Sequence, residues 1–378
     1  MSLLRPTFVR INLDQIMSNF RRLQSLNPGQ PFLCPMVKAN AYGLGDVAIA
    51  KALEKERCNS MGVASVEEGM RLRDHHISAN ILVFGFQGKE ACDQILRECL
   101  TPVVSNFQQL EDLVGAAKEY LDIHIKFNTG MNRLGFSAKD IPNILNGLFQ
   151  NPNIHVAGIC SHLYDGANIC EESSSTQKQI AEFEKIKELF SDSEIVYHLY
   201  NSAAMASLYR NKKSFAYGSR PGLLIYGIDP EPEKSVRPLI GPVVQFQSQV
   251  IEVHEVAADA VVSYGGTWQA PRDSIIGIVA AGYADGVCRS LSNVGHLLVC
   301  GRKVPIRGVV CMDYVMVDLT DIGKAPQDFI GEEAVIIGIQ GEEEISVEEV
   351  AEKSGRITYE VMTGIGERVP RLYGEVYI

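Results

Sequence analysis

Charged and hydrogen-bonding residues follow several short apolar runs in the N-terminal part of the chain. Lys38 closes one such run, Lys126 and His162 lie at the ends of two others, and Arg133 and Arg220 follow a few residues beyond two runs. A lysine amine that is removed from water has a lowered pKa and can attack a carbonyl to form a Schiff base. Taken alone, Lys38 is better explained as a surface lysine that reaches solvent, so its chemistry depends on the elements that position it.

Eight β-branched runs alternate with helical patterns between Phe32 and Gly218. Eight βα units favour a closed (β/α)8 barrel over a doubly wound sheet, which usually has five or six strands. In such a barrel the reactive residues lie at the carboxyl ends of the strands and in the loops that follow, so the polar residues named above would meet at one mouth. The predicted strands are Phe32–Lys38, Met61–Ser65, Ile81–Gly85, Pro102–Ser105, Ile123–Asn128, Val156–His162, Ile195–Leu199 and Phe215–Gly218.

The chain changes character beyond about Pro238. Alternating patterns at Gln245–Val253 and Val309–Val317 predict strands, glycine turns separate them, and Val347–Lys353 predicts one late helix. The early run Phe8–Leu13 is expected to pair with this second domain. We therefore predict an α/β fold, a (β/α)8 TIM-type barrel at residues 14–236 followed by a mostly β domain at 237–378 that also takes residues 1–13.

The composition restricts the class of protein. Lysine and arginine number 35 against 46 aspartates and glutamates, and the formal net charge of −11 argues against nucleic acid or an anionic membrane as a partner. The nine cysteines are scattered without the spacing of a zinc site, so we expect reduced thiols and no metal. The sequence has no signal-peptide pattern and no apolar run long enough for a membrane span, so a soluble cytoplasmic protein is expected.

The segment from Pro35 to Gly45, PMVKANAYGLG, closely resembles the pyridoxal-phosphate attachment segment of the alanine racemases. The resemblance recurs in order along nearly the whole chain. The further motifs are KFNTGMNRLG at 126–135, HLYNSAA at 198–204, RPGL at 220–223, SYGGTW at 263–268, GYADG at 282–286, CMD at 311–313 and RVPR at 368–371. Eight ordered matches exclude coincidence, and the architecture of that family, a barrel followed by a β domain, agrees with the strand count.

The resemblance implies how a cofactor would be held. Lys38 corresponds to the lysine that forms a Schiff base with pyridoxal phosphate, and Arg220 to the partner of the pyridine nitrogen. Arginine stays protonated and so disfavours a second positive charge on that nitrogen, which makes the ring a weaker electron sink and favours racemisation over transamination. The remaining cofactor contacts that the resemblance implies are Tyr42, Arg133, His162, Asn201, Ser202, Tyr359 and the backbone N–H groups of Gly222 and Leu223.

Racemisation requires an acid/base group on each face of the substrate Cα. Lys38 would serve one face, and Tyr264 resembles the second base, which family members supply across a homodimer interface. Since a phenol has a pKa of about 10, a nearby cation would have to stabilise its charged form. By the same resemblance, Arg133 and the backbone N–H of the partner's Met312 would hold the substrate carboxylate. Lys126 corresponds to a lysine that many members carry as a carbamate, which would hold Arg133.

Two positions depart from the family pattern. Asn128 stands where many relatives have Asp, which removes a possible negative charge near Arg133, and SHLYDG at 161–166 replaces the commoner Thr-His-Phe-Ala run. The sequence nevertheless predicts a pyridoxal-phosphate-dependent alanine racemase that interconverts L- and D-alanine and supplies D-alanine for peptidoglycan.

Other functions remain open at this point. A broad-specificity amino-acid racemase is the nearest alternative, although such relatives usually carry a signal peptide. A decarboxylase on the same fold would need a glycine-rich phosphate loop. From a different class, a non-catalytic protein of pyridoxal-phosphate homeostasis would have a bare barrel, without the β domain that carries Tyr264 and Met312.

Overall fold

The computed structural model describes residues 4–26, 32–190, 193–231, 236 and 239–374. The predicted domain boundary at 237 and the predicted domain ends at 1–3 and 375–378 lie outside these residues. The described chain forms two compact units. The β unit holds residues up to Gln15, Tyr42–Leu44 and those from Pro242 onward, and the barrel unit holds Ile16–Ala41 and Gly45–Gly241.

The helices and strands follow one another in the predicted alternation. The strands are Phe8–Ile11 (β1), Ser60–Val63 (β2), Asn80–Val83 (β3), Thr101–Val104 (β4), Leu121–Lys126 (β5), Ile154–Cys160 (β6), Val196–Tyr200 (β7), Gly218–Ser219 (β8), Val244–Val256 (β9), Val261–Val262 (β10), Trp268–Gln269 (β11), Ser274–Val279 (β12), His296–Val299 (β13), Arg302–Pro305 (β14), Val315–Asp318 (β15), Glu333–Gln340 (β16), Glu343–Ile345 (β17) and Arg371–Tyr373 (β18). The helices are Leu13–Ser25 (α1), Asp46–Lys55 (α2), Val66–Asp74 (α3), Gly88–Arg97 (α4), Phe107–Ala116 (α5), Ile141–Gln150 (α6), Ser175–Glu188 (α7), Ser202–Arg210 (α8), Val347–Ser354 (α9) and Thr358–Thr363 (α10).

The barrel unit is built on a parallel sheet of seven strands in the order β2 to β8. The segment 33–36 closes this sheet, because Leu33 bridges Ser219 in β8 and Met36 bridges Gly62 in β2. The predicted first strand, Phe32–Lys38, therefore contributes two isolated bridges rather than a regular strand. Pro35 explains the difference, since it has no N–H to donate to a neighbouring strand. The predicted α/β barrel is confirmed, with seven regular strands and one closing segment.

The interior of the barrel unit is apolar where strands face one another, and Cys34, Leu82, Val103 and Cys160 form one buried cluster there. Several of the helices that follow the strands start at side-chain caps. Ser65 accepts a hydrogen bond from the N–H of Glu68 at the start of α3, and Asn201 accepts one from the N–H of Ala204 at the start of α8. These caps fix where each loop at the carboxyl end of a strand turns into a helix.

The β unit contains a nine-stranded sheet with β1 in its interior. β1 pairs antiparallel with β9 and parallel with β18, so that Val9 lies opposite both Phe246 and Arg371. The predicted strand Val309–Val317 is regular only from Val315. Its first half forms a turn instead, which begins at Gly308 with a φ of +75° and is held to residues 282–284 by backbone hydrogen bonds.

A short hairpin of β10 and β11 in the β unit encloses the segment 263–267. This segment includes Tyr264, which precedes two glycines with φ values of +70° and +56°. No helix among the described residues is long and apolar enough to cross a membrane.

Candidate active site

Lys38 is followed by a turn of unusual hand. Ala39, Asn40, Ala41 and Tyr42 have φ values of 52°, 54°, 51° and 56°, so four consecutive non-glycine residues lie in the left-handed helical region. That region costs roughly 1–2 kcal/mol per residue for L-amino acids. Local hydrogen bonds hold the turn: Ala41 N donates to Val37 O at 2.8 Å, and Gly45 N donates to Asn40 O at 2.8 Å. Backbone strain of this kind persists where the surroundings enforce it, commonly at functional sites.

The Lys38 amine lies in a partly desolvated, positively charged environment. Burial lowers its pKa, Arg133 lowers it further, and Glu68 opposes the shift. Within the described part of the chain the amine makes no hydrogen bond and no ion pair. A lysine with a lowered pKa and no acidic partner is a nucleophile for a carbonyl compound.

Lys126 is a second buried lysine at the same end of the barrel, where β5 ends. Burial lowers its pKa; the Cys160 thiol opposes this effect, and the nearby charges of Arg220, Arg133 and Lys38 add to it. Among the described residues no carboxylate pairs with its amine. Four cationic side chains therefore gather here, and an anion is the ligand that would relieve their repulsion.

Arg220 is buried at the end of β8, and its hydrogen bonds go to neutral acceptors. One terminal nitrogen donates to Nδ1 of His198 at 2.6 Å and to the His198 carbonyl at 2.7 Å, and the other donates to the Ser161 carbonyl at 2.6 Å. Its Nε–H has no acceptor in the described structure. Although burial lowers its pKa, arginine stays charged in proteins. Arg220 is therefore a fixed cation whose Nε–H is left for a ligand.

The histidines around Arg220 are neutral. Burial, reinforced by the Arg220 charge, lowers the pKa of His124 to about 3 and that of His162 to about 3, and Arg133, Lys126 and Lys38 add to the effect at His162. Burial also lowers the pKa of His198 well below its usual value. At neutral pH these rings take part in hydrogen bonding without adding positive charge.

Several backbone N–H groups are free where α8 begins. Ser202 Oγ accepts hydrogen bonds from Gly222 N at 3.0 Å and Leu224 N at 3.4 Å, which joins the start of the helix to the turn after β8. The N–H groups of Ser202, Ala203 and Leu223 have no acceptor within the described residues. Free N–H groups at a helix start are a binding site for phosphate. Of the two backbone donors predicted there, Leu223 is free, whereas Gly222 donates to Ser202.

The loop that carries Arg133 is shaped by Asn128. Its Oδ1 accepts from Gly130 N at 3.1 Å and Asn132 N at 2.9 Å, while its Nδ2 donates to Asn132 Oδ1 at 3.0 Å. The departure from Asp thus provides a donor that a carboxylate lacks. Arg133 itself is exposed and has no ion pair among the described residues.

Tyr42 and Tyr359 lie together in the β unit, with ring centroids 5.5 Å apart. Tyr42 is buried and Tyr359 is 40% exposed. Burial raises the pKa of the Tyr42 phenol and the neighbouring Tyr359 adds to this effect, while burial alone raises the pKa of Tyr359. Both phenols are therefore protonated hydrogen-bond donors at neutral pH.

Tyr264 and Met312 lie along a groove of about 530 Å³ within the β unit. Tyr264 is 73% exposed and Met312 is 53% exposed. Val261 and Tyr314 continue the same surface and are 64% and 46% exposed. An exposed apolar surface of this kind is typical of a protein–protein contact.

The turn that holds Met312 depends on residues that the sequence reasoning did not select. Ala284 N donates to the Met312 carbonyl at 3.0 Å. The fully buried Asp285 accepts from Gly282 N at 3.0 Å and pairs with Arg5 and Arg368. The motifs GYADG and RVPR contain all of these residues except Arg5, so the signal was present in the sequence, although the pairing was not evident.

Comparisons with known proteins agree with this geometry. The family model described as "Alanine racemase, N-terminal domain" matches residues 11–230, and that described as "Alanine racemase, C-terminal domain" matches residues 243–373. An alanine racemase of Sorangium cellulosum is 35% identical over 98% of this chain and 100% of its own length.

Solved structures give the same result. The alanine racemase of E. faecalis superposes with a TM-score of 0.90 at 28% identity, covering 98% of both chains. The alanine racemase of Bartonella henselae, described with covalently bound pyridoxal phosphate, superposes with a TM-score of 0.86 at 27% identity and covers 97% of this chain and 99% of its own. The two family models together span nearly the whole sequence, so this chain belongs to the alanine racemase family and is an amino-acid racemase, an isomerase acting on alanine.

Proposed function

We propose that this chain interconverts L- and D-alanine with pyridoxal phosphate bound to Lys38, as a cytoplasmic homodimer that supplies D-alanine for peptidoglycan. The observation that carries the proposal is the combination of Lys38 and Arg220 at one end of the barrel. The first is a lysine without an acidic partner, and the second is a buried arginine whose Nε–H is left for a ligand. A structural role alone would not require either arrangement.

The residues present fit the cofactor. Its phosphate suits the free N–H groups of Ser202 and Leu223 and the hydroxyl of Ser202, which accepts two hydrogen bonds and keeps its own proton to donate. Asn201 caps the helix that carries Ser202 and keeps those N–H groups in place. When bound, pyridoxal phosphate supplies an electron-withdrawing ring that acidifies the Cα–H of an amino acid.

The resemblance to the family leads us to propose Tyr42 and Tyr359 as two further phosphate contacts. Tyr42 is the last residue of the turn after Lys38, and Tyr359 contacts its ring. Both phenols remain protonated and can donate hydrogen bonds to phosphate oxygens. His162, neutral and half-buried, is proposed to support the cofactor ring together with Arg220.

Two proton carriers perform the proposed racemisation. Nζ of Lys38 takes or gives the Cα proton on one face, and Oη of the partner subunit's Tyr264 does so on the other. Each turnover removes one proton and returns one, so the two groups exchange roles when the direction reverses. Arg133 and the N–H of the partner subunit's Met312 hold the substrate carboxylate between them.

The exposed position of Tyr264 and Met312 supports a homodimer with shared sites. Within one chain they line an open, largely apolar groove of the β unit. A second copy that covers this surface would bury the groove and bring both residues to the neighbouring barrel, as a two-fold interface allows.

Lys126 is proposed to be a carbamate. Burial lowers the pKa of Lys126 and so favours its unprotonated amine, which is the form that adds CO₂. The product is an anion among Lys38, Arg133 and Arg220, and it would hold Arg133. A mass spectrum or density map showing an unmodified amine in crystals equilibrated with CO₂ would contradict this assignment.

Borohydride reduction tests the cofactor assignment. Reduction of the protein with pyridoxal phosphate, followed by peptide mapping, should place one pyridoxyl group on Lys38. Lys126→Met serves as the matched control and should keep the label on Lys38. A label on another lysine, or none, would contradict the proposal.

A chiral assay with L-alanine, L-serine and L-lysine distinguishes an alanine racemase from a broad-specificity amino-acid racemase. Loss of optical rotation that is fastest with alanine supports the proposed substrate. Similar rates with all three would favour a broad-specificity racemase.

A further inference from the structure

One carboxylate connects the backbone after Lys38 to the neighbouring strand. Glu68 Oε1 accepts a hydrogen bond from Ala39 N at 2.6 Å, and Glu68 Oε2 accepts one from Ala64 N at 2.7 Å. Ala39 follows Lys38, and Ala64 follows β2. The parallel pairing of the two segments ends just before them, where Val37 N donates to Gly62 O at 2.9 Å. Glu68 therefore continues the connection at the point where backbone pairing stops.

Glu68 does not form the capping box that its position in the helix would allow. Ser65 and Glu68 have the spacing of a capping box, in which the glutamate would bond the N–H of the cap residue itself. Ser65 does accept a bond from Glu68 N at 3.4 Å. The two oxygens of Glu68, however, go to Ala64 and to the distant Ala39. Glu68 therefore does not cap its own helix and instead connects the turn after Lys38 to the end of β2.

The bond is made where the strain begins. Ala39 is the first of the four residues in the left-handed region. The other hydrogen bonds that hold this turn within the barrel unit join residues of the segment 37–46 to one another. Among the described residues of that unit, Glu68 is the side chain from another element that bonds the turn. It fixes the direction in which the chain leaves Lys38.

We propose that Glu68 is a positioning residue for Lys38, which ties the left-handed turn to the end of β2 and so directs the amine. The inference rests on the proposed role of Lys38. The negative charge of Glu68 also partly offsets the effect of Arg133 on that amine. Glu68 touches no substrate in this proposal and acts through the backbone of Ala39.

Four variants of the full-length protein test this role. Glu68→Gln keeps the shape and one acceptor oxygen, and Glu68→Ala removes both acceptors. Glu67→Gln and Glu67→Ala are the matched controls, because Glu67 is the exposed neighbour on the first turn of the same helix. A glutamate that only fills space would be fully replaced by Gln, whereas one that needs two acceptors would not.

The first measurement is hydrogen–deuterium exchange of peptides that cover residues 37–41 and 62–66. Loss of a charge-assisted hydrogen bond should speed exchange there by about ten-fold in Glu68→Gln and by more in Glu68→Ala. The second is the dissociation constant of pyridoxal phosphate, which should weaken by about ten-fold in Glu68→Gln for the same reason. The third is kinetic: kcat should fall while KM for L-alanine stays unchanged. Both Glu67 variants should behave as the unaltered chain.

Two results would overturn the proposal. One is exchange and cofactor affinity in Glu68→Gln equal to those of Glu67→Gln. The other is an effect of Glu68→Gln on thermal unfolding alone, with cofactor affinity and kcat unchanged. Failure of the proposed function is seen separately, because it would appear as a missing pyridoxyl label on Lys38 of the unaltered chain. In that event, two measurements still test the hydrogen bonds from Ala39 N and Ala64 N to Glu68. They are hydrogen–deuterium exchange at residues 39 and 64 and the rate at which acetic anhydride acylates Lys38.

Discussion

Nδ1 of His124 lies 2.7 Å from Nε2 of His198, and the other ring nitrogen of His198 accepts a hydrogen bond from Arg220. Arginine can only donate, so Nδ1 of His198 must be the acceptor and its proton must lie on Nε2. Nε2 then donates to Nδ1 of His124, which places the proton of His124 on its own Nε2. The hydrogen bond from Arg220 thus determines the tautomers of two neutral histidines in the barrel interior.

We predict that His124→Phe lowers the free energy of unfolding by roughly 1–3 kcal/mol, because it leaves the buried Nε2–H of His198 without an acceptor. The ring of His124 packs closely against Gly158, since a Cβ added at Gly158 would lie 2.3 Å from Nδ1 of His124. Urea unfolding measures the change. The control is His254→Phe on the exposed side of β9, for which we expect a change within about 0.5 kcal/mol. Equal effects of the two substitutions would show that the pair of histidines contributes nothing specific.

The same histidines should make the fold sensitive to acid. The folded pKa values of His124 and His198 lie below the unfolded value, that of His124 at about 3, so below about pH 6.5 the unfolded chain binds protons that the folded chain does not. Their contribution is complete above pH 6.5 and is lost as the pH falls. His124→Phe removes one such group and should reduce the loss of stability between pH 6.5 and pH 5 by about 2 kcal/mol. Urea unfolding at pH 5, 6 and 7 checks this, and parallel pH profiles for both proteins would contradict it.

The sequence predicted the barrel because each strand carries its own apolar, β-branched run, a local signal that tertiary packing does not reverse. It also selected Lys38, Lys126 and Arg220 as candidate site residues, since barrel chemistry collects where strands end, and their roles stay predictions. His124 escaped notice because it lies inside β5, although it is two residues from Lys126 and therefore on the same side of the strand.

The left-handed turn could not be predicted. Ala39, Asn40, Ala41 and Tyr42 have no glycine among them, and local preference disfavours their conformation. The turn is held by hydrogen bonds that include one from Ala39 N to Glu68, which lies 29 residues away in the sequence. The strand predicted at Val309–Val317 failed for a similar reason, since backbone contacts with residues 282–284 hold its first half as a turn.

Asp285 should be essential to the β unit. Burial alone would raise the pKa of its carboxyl, but hydrogen bonds from Arg5 and Arg368 outweigh that effect and keep it charged. Asp285→Asn should lower the free energy of unfolding by about 2 kcal/mol, less than for a fully buried pair because both arginines are partly exposed. Since its turn also bonds the Met312 carbonyl, KM for L-alanine should rise as well. Thermal unfolding and steady-state kinetics measure the two effects.

Asp321→Asn is the control for that substitution. Asp321 pairs with Arg272 in the same unit, but both side chains are mostly exposed, and solvent screens such pairs. Its loss should leave unfolding and KM unchanged. If the two substitutions had equal consequences, the buried position of Asp285 would not matter.

The proposed sharing of sites between protomers predicts complementation. Lys38→Ala and Tyr264→Phe should each impair the enzyme, but in a mixed dimer one site would combine an intact Lys38 with an intact Tyr264 from its neighbour. Random reassociation of equal amounts makes half of the dimers mixed, each with one of two sites intact, so about a quarter of the normal activity should return. Lys38→Ala mixed with Arg220→Ala is the control and should recover nothing, because both residues belong to the same barrel. Differently tagged chains allow mixed dimers to be isolated; if these were inactive, Tyr264 would not be supplied by the partner.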